Sequence, residues 1–280
     1  MYLGIDIGGT KTLLGRFTKD GDLQESFKFP TPNNYDDFVS ELTVNIARIT
    51  TKPWKLAAVA APGRINHKSG VVEVFGNLKW TNTPLVQTVH SITNCDVLIE
   101  NDSKLAGLSE ARLLKPLPHK VLYVTVSTGI GGALIVDGYL DQDLLDAEIG
   151  WMLHERGGKM VTWESFASGR AIVKRFNKLA SEITDPHVWR LVSHDIAIGL
   201  IDVAAILQPD IIIIGGGVGT NFEKFKKPLQ EELKRYESTL VKAPKVIGAK
   251  KSEQAVIFGC YQLMKDRIKQ VESRKSKVEK

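Results

Sequence analysis

Two glycine-rich turns hold much of the chemistry that this chain of 280 residues offers. The first is Gly8-Gly9-Thr10-Lys11-Thr12, with Asp6 just ahead of it; the second is Ser127-Thr128-Gly129-Ile130-Gly131-Gly132. Glycine admits backbone conformations that aim bare N–H groups at an anion, and threonine adds a hydroxyl. Each turn lies between two apolar, strand-like runs, and each second run ends at Asp-Gly, at Asp20-Gly21 and Asp137-Gly138. Two such turns, one in each half of the chain, suit two lobes gripping one polyphosphate. They point to a nucleotide-dependent enzyme with its site in the cleft between the lobes. Lys11-Thr12 lacks the spacing of a Walker loop. A dinucleotide fingerprint would open a helix, whereas both turns open strands. An ordinary Gly-rich β-turn is the alternative for either one alone.

Two carboxylates stand beside this pattern. Asp102 follows the apolar run Val97–Ile99 and precedes a helix, so it could take a proton from a reacting hydroxyl or simply cap the helix. Asp6 ends the first strand and could hold Mg²⁺, directly or through water, or stabilise the turn. A third glycine run, Gly215-Gly216-Gly217, follows four isoleucines. It would let the backbone approach a nucleotide, or serve only as a strand-to-helix turn.

The elements that must position these groups follow from periodicity. Strands are expected at 2–7, 12–17, 24–29, 55–60, 71–74, 96–100, 120–126, 211–214 and 246–248. Helices are expected at 35–49, 84–91, 104–113, 163–180, 187–207, 222–236 and 254–267, with Asp102 or Ser103 as N-cap of the third. Lys115-Pro116-Leu117-Pro118 is the linker candidate. Each half opens with a hairpin and continues through alternating strands and helices. The expected fold is therefore α/β and duplicated. Its divisions are a first lobe at 1–114, a second at 115–264 and a basic tail at 265–280, read as a frayed helix end.

Composition narrows the class. The net charge is +5, but residues 265–280 carry seven Lys/Arg against three acids, so the body is close to neutral. That argues against a nucleic-acid partner. No apolar run is long enough to span a membrane, and no signal sequence precedes the first turn. Cys95 and Cys260 match no metal spacing and read as buried thiols in a reducing compartment. A cytoplasmic protein is expected.

Eight blocks in order and spacing resemble the ROK sugar kinases of the actin-like, ribonuclease-H-like superfamily. They are Asp6–Lys11, Ala61-Pro62-Gly63, Gly76-Asn77-Leu78, Glu100-Asn101-Asp102, Ser127–Gly132, Glu148-Ile149-Gly150, Glu164–Arg170 and Pro209–Gly217. The resemblance runs from Met1 to about Met264. It implies two actin-like lobes with an interlobe cleft and transfer of the γ-phosphate of Mg-ATP to a sugar hydroxyl, by family default the 6-hydroxyl. It implies that Asp102 is the base, and that Gly63, Asn77, Asn101, Glu148 and Glu164 surround the sugar. Glu148 and Glu164 as surface ion-pair formers are the alternative. Phosphate contacts would come from Gly8, Gly9, Thr10, Lys11 and Thr12, and from Thr128, Gly129 and Gly131. Gly215, Gly216 and Gly217 would approach the adenosine. Glucose is the first expectation, with N-acetylhexosamines, fructose and allose open. A homodimer is common in the family. Repressor members carry a helix-turn-helix ahead of the first turn; none is expected here, since that turn begins at residue 6.

The chain departs from the family at two places. Trp151 stands where the family has a His that touches sugar and binds zinc, and no cysteine lies between Cys95 and Cys260. No zinc is expected, and the nearby His154 reads as a solvated or packed residue. Trp151 could stack on a sugar face or fill the loop core. Tyr139–Ala147 is rich in Asp and Leu where the family is Gly-rich. A non-catalytic sugar or nucleotide sensor is the alternative function, and polyphosphate as donor ranks below ATP.

Overall fold

Strand β1, Tyr2–Ile7, is apolar on both faces, and Asp6 is its one partly exposed residue. A strand buried on both sides must lie inside a sheet. In the computed structural model, which describes residues 1–49, 52–251 and 254–278 with side chains as far as Ser273, it does. β1 pairs antiparallel with β2, Lys11–Phe17, which pairs with β3, Leu23–Pro30. On its other side β1 runs parallel to β4, Leu56–Ala61. Helix α1, Tyr35–Ile49, lies between β3 and β4 in the chain and buries Phe38, Leu42 and Ile46 at four-residue spacing.

A small sheet follows β4. It comprises β5, Arg64–Asn66, β6, Val71–Val74, and β7, Thr81–Thr83. The chain then forms α2, Leu85–Thr93, and β8, Val97–Asn101, parallel to β4, and enters α3, Asp102–Ala111. The first large sheet thus has the order β3-β2-β1-β4-β8.

The second half repeats that plan. β9, Lys120–Val126, pairs antiparallel with β10, Ile130–Val136, which pairs with the short β11, Tyr139–Leu140. A one-turn 3₁₀ helix at Ile149–Trp151 leads into a hairpin of β12, Leu153–Arg156, and β13, Lys159–Thr162. Helices α4, Glu164–Ala167, α5, Gly169–Phe176, and α6, Pro186–Leu207, come next. After them come β14, Ile211–Gly215, the single turn α7, Gly216–Gly219, α8, Phe222–Arg235, and β15, Lys245–Gly248. The second sheet has the order β11-β10-β9-β14-β15, position for position the order of the first. α6 begins at the N-cap Asp185 with Pro186 in its first turn. It buries Trp189, Val192, Ile196, Leu200 and Val203, and Trp189 stacks on Phe225 of α8 with ring centroids 5.3 Å apart.

Three expectations are corrected. A continuous helix over 163–180 is replaced by α4 and α5, because Ser168 between them is extended. Its hydroxyl caps α5 by accepting the Ala171 N–H, and the Gly169 N–H is given to the Ser127 carbonyl at 2.6 Å. The division at residue 114 also moves. The units are Met1–Ser109 with Gln254–Lys280, and Glu110–Glu253, so the closing helix belongs to the first unit. Third, the basic segment expected as a separate tail from residue 265 continues the preceding helix. The closing helix, α9, runs from Ala255 to Val278 as one element, while the tail's Glu279 and Lys280 lie outside the described residues.

α9 joins the first unit because the sheet face beneath it carries small residues. Gly4 and Gly15 lie under Ile257, and Ala58 and Ala60 continue the strip. Ile257, Cys260, Tyr261 and Met264 fill the space above them. Gly259 presses on the other side, where a Cβ would run into the Leu105 carbonyl of α3. α9 therefore fixes how deep α3 sits. Gly259→Ala is expected to cost about 2 kcal/mol or more of stability, read as a lowered midpoint in thermal or denaturant unfolding.

Candidate active site

One row of paired residues crosses the whole first sheet: Lys28, Leu13, Asp6, Ala60 and Glu100. Residues in register on neighbouring strands point to the same face. That face thus receives two carboxylates at the carboxyl ends of parallel strands, and α3 starts one residue past β8 with Asp102. The N-cap is neither Asp102 nor Ser103. Asn101 takes that role, its Oδ1 accepting from the Ser103 N–H at 2.9 Å and from the Ser103 hydroxyl at 2.5 Å. Asp102 Oδ1 shares the same N–H at 2.7 Å. The Asn101 amide donates to the Gly63 carbonyl at 3.3 Å. Gly63 has φ +114°, and a Cβ there would strike the Val74 carbonyl. Asn101 therefore spends most of its polar capacity tying the Ala61-Pro62-Gly63 turn to the start of α3.

Sequence reasoning missed two partners of this corner. Glu100 is buried, with Oε1 accepting the Asn101 N–H at 2.7 Å and Oε2 lying 3.2 Å from His67 Nε2. Glu100 was visible only as part of its block, and nothing in the sequence marked His67. Asn77 is brought to the first glycine turn, since a Cβ on Gly9 would lie 2.7 Å from that of Asn77. Trp80 anchors the segment that carries Asn77. Its indole packs 4.7 Å from the Phe38 ring and donates to the Asn33 carbonyl at 2.8 Å.

The first turn corrects one assignment. Thr12 is fully buried, and its hydroxyl meets that of Thr31 at 2.9 Å, so it is turned inward rather than toward a phosphate. Thr31 in turn donates to the Gly8 carbonyl at 2.8 Å. Gly8, Gly9, Thr10 and Lys11 remain partly or fully exposed.

In the second unit, Glu164 lies against the second glycine turn. Its Oε2 accepts the Ile130 N–H at 3.2 Å, and a Cβ on Gly129 would lie 2.5 Å from the same oxygen. Gly150 packs on the Ile130 carbonyl and Gly132 on Ile149, so the Glu148-Ile149-Gly150 block sits on the strand that leaves the turn. Gly131 lies in β10 opposite Thr125. Trp151 is 65% exposed, which rules out the loop-core reading.

A cavity of about 660 Å³ opens beside the turn. Ser127 and Thr128 line it, with Gly169, Arg170, Val173 and Gly217 among the other walls. Of the three consecutive glycines only Gly217 reaches this cavity. A Cβ on Gly215 would collide with the Tyr123 hydroxyl, and Gly216, at φ +79°, packs on the Val126 carbonyl. Those two glycines serve the sheet, and the close approach expected of them is an internal one.

After Trp151, the β12–β13 hairpin is held by charge. Arg156 lies 2.9 Å and Arg175 2.7 Å from the carboxylate of the buried Asp195. His154 Nδ1 lies 3.5 Å from Asp202, and its side chain is largely buried. Among the described residues no group of three or more His, Cys, Asp or Glu could hold a metal ion, and no helix is long and apolar enough to cross a membrane.

Burial sets the electrostatics of the carboxylates. The pKa of Asp6 is pushed up to about 7, first by desolvation and then by the neighbouring charge of Asp102, against a smaller pull from Lys28. Asp102 is raised by burial, opposed by the Ser103 N–H and Lys104. The folded chain thus keeps a proton on Asp6 that the unfolded chain has lost. Stability falls as pH rises from about 4 to about 7, then levels off. Without divalent cations, Asp6→Asn is expected to raise the melting temperature at pH 8 by about 5 °C, and by much less at pH 5. Calorimetry at the two pH values checks this.

The chain is 25% identical to the glucokinase of Thermotoga maritima, with 95% of this chain and 98% of that protein aligned. It is 26% identical to the N-acetyl-D-glucosamine kinase of Salmonella paratyphi B, over 92% and 97%. The solved structure of a ROK family glucokinase from Streptomyces griseus, in complex with glucose and AMPPNP, has the same fold. Its TM-score is 0.78 at 24% identity, covering 94% of this chain and 98% of that one. The architecture is the two-unit, actin-like α/β fold. The model of the ROK family matches residues 2–267, nearly the full length, and the chain belongs to that family.

Proposed function

We propose that this protein is a hexose kinase that transfers the γ-phosphoryl group of ATP to a sugar hydroxyl, with Asp102 as general base. The observation that carries the reading is the corner at the end of β8. Asp102 is held at the mouth of α3 by the Asn101 cap, and burial raises its pKa. A carboxylate with a raised pKa is a stronger base than an ordinary one, and it is positioned rather than mobile. The names of the relatives support a sugar acceptor, with glucose first and N-acetylglucosamine and fructose next. The 6-hydroxyl is the acceptor position we propose.

The donor set fits the implied groups. The second unit's cavity of about 660 Å³ is of the size that takes a nucleoside, with Thr128 and Gly217 in its wall. A desolvated carboxylate with a raised pKa, at Asp6, suits a hard divalent cation that is otherwise bound by water and phosphate oxygens. Asp6 would hold Mg²⁺ directly or through water, and the ion would supply charge neutralisation on the phosphates. Gly63, Asn77 and Asn101 in the first unit, and Glu148, Trp151 and Glu164 in the second, are the proposed sugar-side residues. Asn101 does this mainly by orienting the base, and Glu164 by fixing the second turn.

Phosphoryl transfer needs little covalent chemistry from the protein, so the residues act by position and charge. Asp102 takes the hydroxyl proton as the oxygen attacks. The N–H groups of the two glycine turns stabilise charge on the phosphoryl oxygens. The experiment is ADP release with Mg-ATP over glucose, mannose, fructose, allose, N-acetylglucosamine and N-acetylmannosamine. Turnover on one sugar is expected, falling by about 10³-fold in Asp102→Asn with sugar binding retained. Binding of ATP and sugar without turnover on any member of the panel would establish the sensor instead. In the active enzyme, the acid limb of the kcat/KM profile is expected above the usual carboxylate range, because burial raises the base. A limb at the ordinary aspartate position would remove Asp102 from the role.

A further inference from the structure

The first glycine turn has a clamp that the motif does not contain. Thr31 lies just past β3, twenty residues or so from the turn in sequence, and is buried. It makes three contacts with the turn and its flank. Its hydroxyl donates to the Gly8 carbonyl at 2.8 Å, and its backbone N–H donates to the Thr10 carbonyl at 3.0 Å. The third contact is the 2.9 Å bond between its hydroxyl and that of Thr12. A hydroxyl has one proton. Since Thr31 gives its own to Gly8, Thr12 must be the donor of the pair. The order is fixed: Thr12 to Thr31 to the Gly8 carbonyl.

The consequence lies in the peptide planes. In a trans peptide the C=O of one residue and the N–H of the next point in opposite directions. With the Gly8 carbonyl drawn inward, the Gly9 N–H is turned outward. The Thr10 carbonyl, bonded to the Thr31 N–H, ties the far side of the turn to β3. One residue thus fixes both sides of the turn and sets the Gly9 donor, and the buried Thr12 hydroxyl holds that residue in place.

We propose that Thr31 is a positioning residue for phosphoryl transfer, presetting the Gly9 N–H group as a donor to the terminal phosphates of the nucleotide. This rests on the kinase reading above. Preset donors stabilise developing charge without reorganising, and a turn free to rotate its peptide planes loses that advantage.

Thr31→Val keeps the shape and the backbone N–H but removes the hydroxyl, whereas Thr31→Ser keeps the hydroxyl. Affinity for AMP-PNP and for AMP, measured calorimetrically, separates the terminal phosphates from the rest of the nucleotide. In Thr31→Val, AMP-PNP affinity is expected to fall about 10-fold with AMP within about twofold. Its kcat is expected to fall about 10- to 100-fold with sugar KM little changed. Thr31→Ser is expected to recover to within about threefold. The proposal is overturned by unchanged AMP-PNP affinity and kcat in Thr31→Val, by AMP and AMP-PNP weakening together, or by Thr31→Ser as impaired as Thr31→Val. If Thr31→Val does not fold, Thr12→Val takes its place, with the same AMP-PNP-selective loss expected and its absence overturning the proposal. If the unmodified protein binds AMP-PNP but turns over no sugar, the kinase reading fails, and the affinity ratio still decides the clamp.

Discussion

Two carboxylates, Asp6 and Asp102, are both raised in pKa by desolvation, and the charge of Asp102 makes Asp6 harder still to ionise. Such a pair is unstable unless the surrounding backbone holds it firmly. Much of the first unit supplies that firmness. The parallel strands β1, β4 and β8 place Asp6 and Glu100 in one row. Asn101 ties the start of α3 to the Gly63 turn, and Gly259 lets α9 press on α3 from behind. The burial that raises both acids is produced by the same contacts.

Each unit braces its glycine turn with a side chain distant in sequence. In the first it is Thr31, acting on a carbonyl. In the second it is Glu164, acting on the Ile130 N–H, with Gly169 donating to the Ser127 carbonyl beside it. The duplicated sheets share strand order, but the braces differ in chemistry. A hydroxyl orients a carbonyl and leaves the next N–H outward, whereas a carboxylate occupies an N–H and adds negative charge beside the turn. A donor in the first turn is thereby freed, while the second turn is braced.

The segment 151–163 is held by charge and by one indole hydrogen bond. Asp195 takes charge from Arg156 of the hairpin and Arg175 of α5, and its carbonyl accepts the Trp163 indole N–H at 3.1 Å. Buried charge satisfied on two sides fixes geometry even where its net stabilisation is small. Trp151, at the foot of the hairpin, is left exposed rather than absorbed into the loop core.

Local chemistry made much of this legible. Apolar periodicity located α1, β6, β9 and α6 within a residue or so, and the repeated hairpin-glycine pattern revealed the duplicated plan, because these depend on neighbours in the chain. The broken helix at Ser168, the membership of α9 and the inward turn of Thr12 were not legible. Each depends on a partner far away: the Ser127 carbonyl, the Gly4–Ala60 strip and the Thr31 hydroxyl. The sequence by itself determined which residue types could bind phosphate and accept a proton. Only the tertiary structure decided which of them face outward, since a hydroxyl or a glycine serves a ligand or the protein's own backbone according to what packs against it.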